Sequence, residues 1–244
     1  MKRPDFININ DWRLLEQKYH NLDYAVKKIQ NNYPIQYLIG NVDFYGYKFF
    51  VNKDVLIPRF ETETLLEKTI DYIKKLRFDS SSVLELGTGS GCISIALKKE
   101  LPNLEITAMD ISLKALKIAR KNARLNKCKI NFIKNNILKC KLDNNYDILI
   151  SNPPYLKTND VIDEKTKYEP QIALFGGEDG MLFYPKIFEI AKKVLNKKFL
   201  IALEIDEENG DKIKKLAKEH FPRKKIVLDK DLTGKDRYLF VISE

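Results

Sequence analysis

The fold is decided by Val83-Leu-Glu-Leu-Gly-Thr-Gly-Ser-Gly91-Cys-Ile-Ser-Ile-Ala-Leu97. Its apolar start predicts a short strand, and its three alternate glycines predict a loop. The apolar pattern after the loop predicts an amphipathic helix. Glycine lets a loop approach a ligand closely, and the first turn of a helix offers unpaired N–H groups. The dinucleotide fingerprint would need a glycine at position 92, where this chain has cysteine. The loop therefore carries a different pattern, acidic-x-G-x-G-x-G.

A carboxylate stands about twenty residues farther along, at the end of Leu104-Glu-Ile-Thr-Ala-Met-Asp110, which predicts a second strand. In nucleotide-binding α/β folds, a carboxylate at this place accepts the hydroxyls of a ribose. A nucleoside site without a strong phosphate grip favours S-adenosylmethionine over NAD.

A second informative stretch is Asp147-Ile-Leu-Ile-Ser-Asn-Pro-Pro-Tyr155. Its apolar residues predict a buried strand, which must end at the prolines because proline has no N–H. The Asn152 carboxamide, the stiff carbonyls of Asn152 and Pro153, and the Tyr155 ring then form acceptors beside an aromatic face. Such a group can hold a planar NH2 by its two hydrogens while the ring stacks on its plane. An ordinary turn that closes a strand is an equal alternative for these letters alone.

From residue 79 onwards, strand and helix patterns alternate, which is typical of a doubly wound, mostly parallel sheet. Strands are predicted at 83–86, 104–110, 130–134, 147–151, 198–204, 225–229 and 236–242, and helices at 90–100, 112–126, 181–196 and 207–221. The last two strands share a tight turn and must pair antiparallel. Ligands in such sheets bind at the carboxyl ends of the strands. Four candidate positions fall at such ends: Gly87, Asp110, Asn136 and Asn152.

The segment before residue 79 predicts smaller elements. Apolar residues spaced by three and four predict one helix over 10–31, and a short segment from Pro34 ends at Gly40. This piece is too small to bury a core alone, so we expect it to dock on the main domain or on a partner. A hairpin is predicted over 42–51, and a helix from about residue 61 to about 77. Before that helix, Arg59, Glu61 and Glu63 form a charged group that either caps it or gates the cofactor pocket.

Composition sets the remaining bounds. The formal net charge is +9, and only eight of the 43 basic residues are arginine, which favours solvated lysine faces over a dedicated nucleic-acid patch. A positive surface still steers a protein toward anionic partners. The three cysteines have no metal-like spacing and the two histidines stand alone, which argues against a metal site or a catalytic triad. Without a signal peptide pattern or a membrane-length apolar run, we expect a cytoplasmic protein.

From about Pro34 onwards the chain resembles the release factor glutamine N5-methyltransferases, the PrmC/HemK group of class I S-adenosylmethionine-dependent enzymes. The motifs that carry the resemblance are Pro34–Gly40, Val55–Arg59, Glu61–Glu63, Glu85–Gly91, Ser151–Tyr155, Glu169-Pro170, Gly176-Gly177, Leu203–Ile205 and Asp236-Arg237. Asn-Pro-Pro-Tyr alone is shared with DNA adenine and RNA guanine methyltransferases, whereas the Leu-Ile-Pro-Arg and Glu-Pro segments are more specific.

The resemblance implies a role for each site residue. The methionine end of the cofactor would be wrapped by Gly87, Thr88, Gly89, Ser90 and Gly91. The ribose would be bound by Asp110, and the adenine flanked by Asn136 and Ile137. Asn152 would bridge cofactor and substrate, and the catalytic residues would be Asn152, Pro153 and Tyr155. The glutamine would be bound by Asn152, Pro153, Pro154 and Tyr155, with its NH2 held by Asn152 and the Pro153 carbonyl.

The resemblance also implies a Rossmann-like class I methyltransferase fold and a domain organisation. Residues 1–40 would be a short helical docking segment, 41–54 a β-hairpin linker, and 55–244 the methyltransferase domain. The partners would be class-1 peptide chain release factors, methylated at the glutamine of Gly-Gly-Gln. S-adenosylhomocysteine would be the product. We expect a monomer that uses no metal, crosses no membrane and holds no stable nucleic-acid partner.

Three departures from the family stand out. The helical part before the hairpin is several dozen residues shorter than usual, Phe60 replaces a usual proline, and Asn136 replaces a usual aspartate. Asparagine can still accept a hydrogen bond from an adenine amino group. Two other functions stay open: methylation of an exocyclic amino group of a nucleic acid, which would need a flipped base, and non-catalytic binding.

Overall fold

One seven-stranded sheet organises the protein in a computed structural model that describes residues 2–78, 80–143 and 145–243. Its strands are β3 (Ser82–Leu86), β4 (Glu105–Asp110), β5 (Asn131–Lys134), β6 (Tyr146–Ser151), β7 (Leu195–Glu204), β8 (Lys225–Lys230) and β9 (Asp236–Ser243). They lie in the order β5-β4-β3-β6-β7-β9-β8. All neighbours pair parallel except β9, which is antiparallel to both β7 and β8. The predicted mostly parallel sheet with an antiparallel last strand is confirmed.

Helices cover both faces of this sheet. They are α4 (Phe60–Leu76), α5 (Cys92–Glu100), α6 (Leu113–Leu125), α7 (Tyr184–Val194) and α8 (Gly210–His220). Alternate residues of β6 point to opposite faces: Ile148 and Ile150 join the core under α4 and α5, and Leu149 joins the core under α7 and α8. Because both faces are buried, the central strands read as continuous apolar runs.

The N-terminal segment differs from its prediction. The single helix expected over 10–31 is wrong, because the structure has two helices, α1 (Ile9–Lys18) and α2 (Asp23–Gln30), followed by α3 (Ile35–Ile39). The backbone of Tyr19 is extended, with φ −120° and ψ 124°, and the Asn21 side chain accepts a hydrogen bond from the Asp23 N–H. After this break, residues of α1, α2 and α3 share a small apolar core of their own.

The predicted hairpin is present as β1 (Asn41–Phe44) and β2 (Tyr47–Phe50). It is more than a connection, because Phe44 and Phe49 are buried in the core beneath α4 and α5. The buried Asn122 of α6 accepts a hydrogen bond from Phe50 N–H at 2.7 Å and donates to the carbonyls of Phe50 and Ser90, at 3.0 and 2.8 Å. One carboxamide thus joins the hairpin to the glycine loop.

Two features are absent from the described part of the chain, a membrane-spanning helix and a metal-binding cluster. In it, no helix has both the length and the apolarity that a membrane crossing requires. Nor do three or more histidine, cysteine, aspartate or glutamate side chains of residues 2–78, 80–143 and 145–243 gather in a way that could hold a metal ion.

Candidate active site

A cleft with a cavity volume of about 210 Å³ lies at the carboxyl ends of β3, β4, β5 and β6. Seven of the residues predicted to bind cofactor or substrate line it: Gly87, Gly89, Asp110, Asn136, Ile137, Asn152 and Pro154. Gly87 and Gly89 follow β3, Asp110 ends β4, Asn136 and Ile137 follow β5, and the last two residues lie in the turn after β6.

The glycine loop folds around a buried carboxylate. Glu85, near the end of β3, accepts hydrogen bonds from the hydroxyls of Thr88, at 2.7 Å, and Ser94. Burial raises the pKa of Glu85 to about 7, although both hydroxyls work in the opposite direction. Thr88 and Ser90, which were expected to touch the cofactor, are themselves buried and are not among the residues that line the cleft. They build the loop from behind.

Glycine is needed in this loop for two different reasons. A Cβ on Gly89 would meet no atom within 4 Å and would project into open space, which a ligand can use. A Cβ on Gly91 would lie 3.1 Å from Ile95 and 3.2 Å from Ala119, and its φ of +82° is unfavourable for other residues. Gly91 therefore lets α5 and α6 pack closely and does not line the cleft.

Asp110 stands at the end of β4 and connects two neighbouring segments. Its carboxylate oxygens accept backbone hydrogen bonds from Gly89 and Ser112, both at 2.8 Å. Burial raises the pKa of Asp110, and these N–H groups lower it. A carboxylate has about four acceptor positions, so Asp110 can hold the glycine loop and still accept hydroxyls of a ribose.

Asn136 and Ile137 form the wall opposite the glycine loop. The Asn136 side-chain oxygen accepts the Leu138 N–H at 2.9 Å, which fixes a tight turn there. This oxygen keeps a second lone pair, so it can also accept from an amino group. The departure from aspartate thus leaves an acceptor at this wall, without the charge.

The turn after β6 is fixed by a network that the sequence did not predict. The Asn152 amide nitrogen donates to the Thr62 hydroxyl at 3.0 Å, and this hydroxyl donates to Glu204 at 2.7 Å. The other oxygen of Glu204 accepts from the Tyr155 hydroxyl at 3.2 Å. Tyr155 and the buried Pro153 are not among the lining residues. The Tyr155 ring is therefore held beside the turn, partly buried, with its hydroxyl directed at Glu204.

The cleft is partly closed by two segments joined through Glu169. This buried carboxylate accepts the Ile57 N–H at 2.9 Å and forms an ion pair with Arg59. Residues 54–56 on one side of Glu169, and Pro170, Ile172 and Ala173 on the other, line the cleft. The segments Leu-Ile-Pro-Arg and Glu-Pro, which lie 110 residues apart, thus meet over the predicted cofactor site.

The charged group predicted from Arg59, Glu61 and Glu63 does not form. Arg59 pairs with Glu169, while the Glu63 side chain accepts the Tyr45 N–H at 2.8 Å in the hairpin. These residues leave α4 in different directions, because positions two apart on a helix do not share a face. Arg59 does not line the cleft itself; through Glu169 it braces the two segments that partly close the cleft, which we call the lid.

The residues present fit S-adenosylmethionine. The space in front of Gly89, the carboxylate of Asp110 and the apolar Ile137 lie along one cleft. No third glycine at position 92 builds a pyrophosphate site, and the cofactor has no phosphate to hold. The backbone of Gly87 and Gly89, Asp110, and the wall of Asn136 and Ile137 are the groups that would hold it.

Comparison with known proteins assigns the class and then the family. The family model "Methyltransferase small domain" matches residues 62–168, from α4 to the loop after β6. With the sheet order described above, this match defines a class I methyltransferase, the class that uses S-adenosylmethionine. A release factor glutamine methyltransferase of Flavobacterium psychrophilum is 39% identical over 247 residues, which span 99% of this chain and 86% of that protein. The chain belongs to the release factor glutamine methyltransferase family.

Two further relatives agree. The release factor glutamine methyltransferase of Bacillus cereus is 36% identical, and the match covers 95% of this chain and 84% of that protein. The crystal structure of a protein-(glutamine-N5) methyltransferase (release factor-specific) from Alicyclobacillus acidocaldarius is 26% identical, with a TM-score of 0.51 over 80% of this chain and 99% of that one.

Proposed function

We propose that this protein transfers a methyl group from S-adenosylmethionine to the side-chain amide nitrogen of the glutamine in the Gly-Gly-Gln motif of class-1 release factors. Family membership supports the substrate class. The observation that carries the chemistry is the Asn152 carboxamide, whose nitrogen is bound to Thr62 beside a cleft suited to the cofactor. Its oxygen is thereby left as an acceptor for a substrate NH2.

The proposed mechanism rests on orientation. An amide nitrogen is a weak nucleophile because its lone pair is delocalised into the carbonyl group. The Asn152 oxygen and the Pro153 carbonyl would accept its two hydrogens, favouring a pyramidal nitrogen with a directed lone pair. When bound, S-adenosylmethionine supplies a methyl group on a positively charged sulfur. Correct placement by fixed acceptors would then carry most of the catalysis.

The other proposed roles follow the same geometry. The glycine loop, Asp110, Asn136 and Ile137 would hold the cofactor, and the Tyr155 ring would lie against the glutamine amide. Residues 1–40 would form the docking segment, 41–54 the hairpin and 55–244 the catalytic domain. Two contacts support a docking role near the site: the Tyr168 hydroxyl donates to the Asn31 carbonyl at 3.0 Å, and the rings of Tyr33 and Tyr168 pack edge to face. A monomer acting in the cytoplasm, where release factors work, fits this function.

The test is transfer of labelled methyl from S-adenosylmethionine to a purified class-1 release factor. Its control is the same factor with the Gly-Gly-Gln glutamine changed to alanine. We expect label on the first and none on the second. The net charge of +9 and the fit of an exocyclic NH2 to the same acceptors make tRNA, rRNA and DNA the comparison substrates. Label on a nucleic acid and none on the release factor would overturn the proposal.

A further inference from the structure

A buried carboxylate lies behind the turn after β6, and the mechanism above does not use it. Glu204, the last residue of β7, is 1% exposed. Among the described residues, no lysine, arginine or histidine forms a salt bridge with it. Burial of a carboxylate without an ion partner costs free energy. A side chain kept there at such a cost calls for a role beyond packing.

The hydrogen bonds of Glu204 have a direction that matters. An ionised carboxylate has no proton to donate, so it only accepts. The Thr62 hydroxyl has one proton, which it donates in a hydrogen bond of 2.7 Å to Glu204. Towards Asn152, Thr62 can then only accept. The Asn152 carboxamide must present its NH2 to Thr62, at 3.0 Å, and its oxygen lies on the opposite side of the plane.

We propose that Glu204 is a positioning residue that sets, through the Thr62 hydroxyl, which way the Asn152 carboxamide faces. With Glu204 ionised, the Asn152 oxygen is available to a substrate NH2. With Glu204 protonated, the Thr62 hydroxyl no longer has to donate to Glu204 and can donate to the Asn152 oxygen. The Asn152 carboxamide would then be turned by half a rotation, so that its NH2, a donor, would face the NH2 of the substrate, which is also a donor. The kinetic part of this inference rests on the proposed function, whereas the orientation itself does not.

The groups around Glu204 place its protonation in an accessible range. The pKa of Glu204 is raised to about 7, mainly by burial. The Thr62 and Tyr155 hydroxyls and Arg237 of β9 act to lower this pKa, and Glu61 of α4 acts to raise it. The other groups that face it are the hydroxyls of Tyr184 and Tyr238, whose own pKa values it raises. The orienting form therefore predominates above about pH 7 and is lost below it.

The first experiment follows the Asn152 side-chain NH2 by ¹⁵N–¹H NMR from pH 5.5 to 8.5, with S-adenosylhomocysteine present. The signals are assigned by their absence from Asn152→Ala. We expect them to shift with a midpoint near pH 7, and not to shift in Glu204→Gln. Glu85→Gln is the matched control, since Glu85 is equally buried but is not bonded to Thr62, and there the titration persists. No titration in the wild type, or one that survives in Glu204→Gln, overturns the inference.

The second experiment measures methyl transfer. Thr62→Val keeps the shape and removes the hydroxyl. We expect kcat to fall about 10- to 100-fold, less than the ~10²- to 10³-fold loss for a group that contacts the reacting atoms, because Thr62 acts only through Asn152. KM and cofactor affinity should change little, and Thr62→Ser should recover most of the loss. The control is Thr69→Val, another buried threonine of α4, whose hydroxyl bonds only to the Leu65 carbonyl at 2.6 Å.

The pH profile separates positioning from stability. In the wild type, kcat should fall about tenfold per pH unit below the midpoint, and in Glu204→Gln this fall should vanish. Equal losses in Thr62→Val and Thr69→Val, or a wild-type profile retained in Glu204→Gln, contradict the relay. An NMR titration without any methylation of a release factor would instead reject the proposed function and leave the orientation relay intact.

Discussion

Two buried glutamates, Glu85 and Glu204, lie behind the two halves of the site and support them in different ways. The Glu85 half is the glycine loop, and the Glu204 half is the turn after β6. Both are 1% exposed, both accept hydrogen bonds from two hydroxyls, and burial raises the pKa of each to about 7. The partners of Glu85 are 3 and 9 residues away, within the glycine loop and α5. Those of Glu204 are 142 and 49 residues away. One carboxylate therefore shapes a local loop, whereas the other links α4, β7 and the turn after β6.

The largest effect should come from breaking the end of the Glu204 network. Asn152→Ala removes the carboxamide that we propose as an acceptor for the substrate NH2. We expect kcat to fall about 10²- to 10³-fold, the usual cost of removing one positioned hydrogen-bonding group. The dissociation constant for S-adenosylhomocysteine, measured by calorimetry, should stay within about threefold, because the Glu85 half is untouched. Unchanged methyl transfer in this variant would remove Asn152 from the mechanism.

Next comes a stability effect that both glutamates should share. Each has a folded-state pKa of about 7 against an ordinary value of 4.5, so the folded protein binds more protons than the unfolded chain between these values. The free energy of unfolding therefore falls as pH rises from 4.5 to 7, by up to about 3 kcal/mol per group. Glu85→Gln and Glu204→Gln should each unfold at a higher urea concentration than the wild type at pH 8.

The two glutamates can be distinguished if Glu85→Gln and Glu204→Gln have the same free energy of unfolding but different rates of methyl transfer. Urea unfolding at pH 5 should show little difference between either variant and the wild type, since the wild-type carboxyls are then protonated in the folded state. Two variants less stable than the wild type at pH 8 would mean that the carboxylates are stabilised by groups other than those described above.

A smaller effect is expected on the Glu85 side, at Gly91. Gly91→Ala brings a Cβ to 3.1 Å from Ile95 and 3.2 Å from Ala119 at a φ of +82°, so these neighbours in α5 and α6 must give way slightly. We expect a loss of about 1–3 kcal/mol in the free energy of unfolding, and weaker binding of S-adenosylhomocysteine by calorimetry. Gly46→Ala in the hairpin is the control, because its φ is +77° but no atom lies within 4 Å of the added Cβ. Equal cofactor affinity in both variants would show that Gly91 matters only for folding.

The smallest effect should come from the lid, the two segments that meet at Glu169 over the predicted cofactor site. Arg59→Ala removes the ion pair with Glu169, but the arginine is 37% exposed and is not among the residues that line the cleft. We expect at most about fivefold weaker cofactor binding in calorimetry, and a dependence on salt that the wild type shows and the variant lacks. A loss as large as that of Asn152→Ala would mean that Arg59 touches a reacting group.

The sequence was sufficient for whatever depends on local pattern. Strand and helix order, the antiparallel last strand and the glycine loop could all be predicted, because apolar periodicity and turn residues determine them. The helix over 10–31 was mispredicted because an apolar stripe continues through Tyr19 and Leu22, whereas the backbone of Tyr19 is extended and the Asn21 side chain accepts the Asp23 N–H before the next helix.

The network behind Asn152 was missed for a different reason. Thr62 and Glu204 meet only when α4 packs beside the end of β7, and no local pattern encodes that contact. One signal was available, since Glu204 lies between Leu203 and Ile205 at the carboxyl end of a strand. An acidic residue at such a position is what identified Asp110. Applying the same criterion to every strand would have identified Glu204 as well.

The hairpin, tied to the glycine loop by the one carboxamide of Asn122, determines where this protein can be divided. A fragment that starts at Asn41 would retain Phe44 and Phe49 in the main core and the support of Ser90. A fragment that starts at Val55 would expose a large apolar hole and leave the carboxamide without two of its three bonds. A methyltransferase module that is to be transplanted or fused to another protein should therefore include the hairpin.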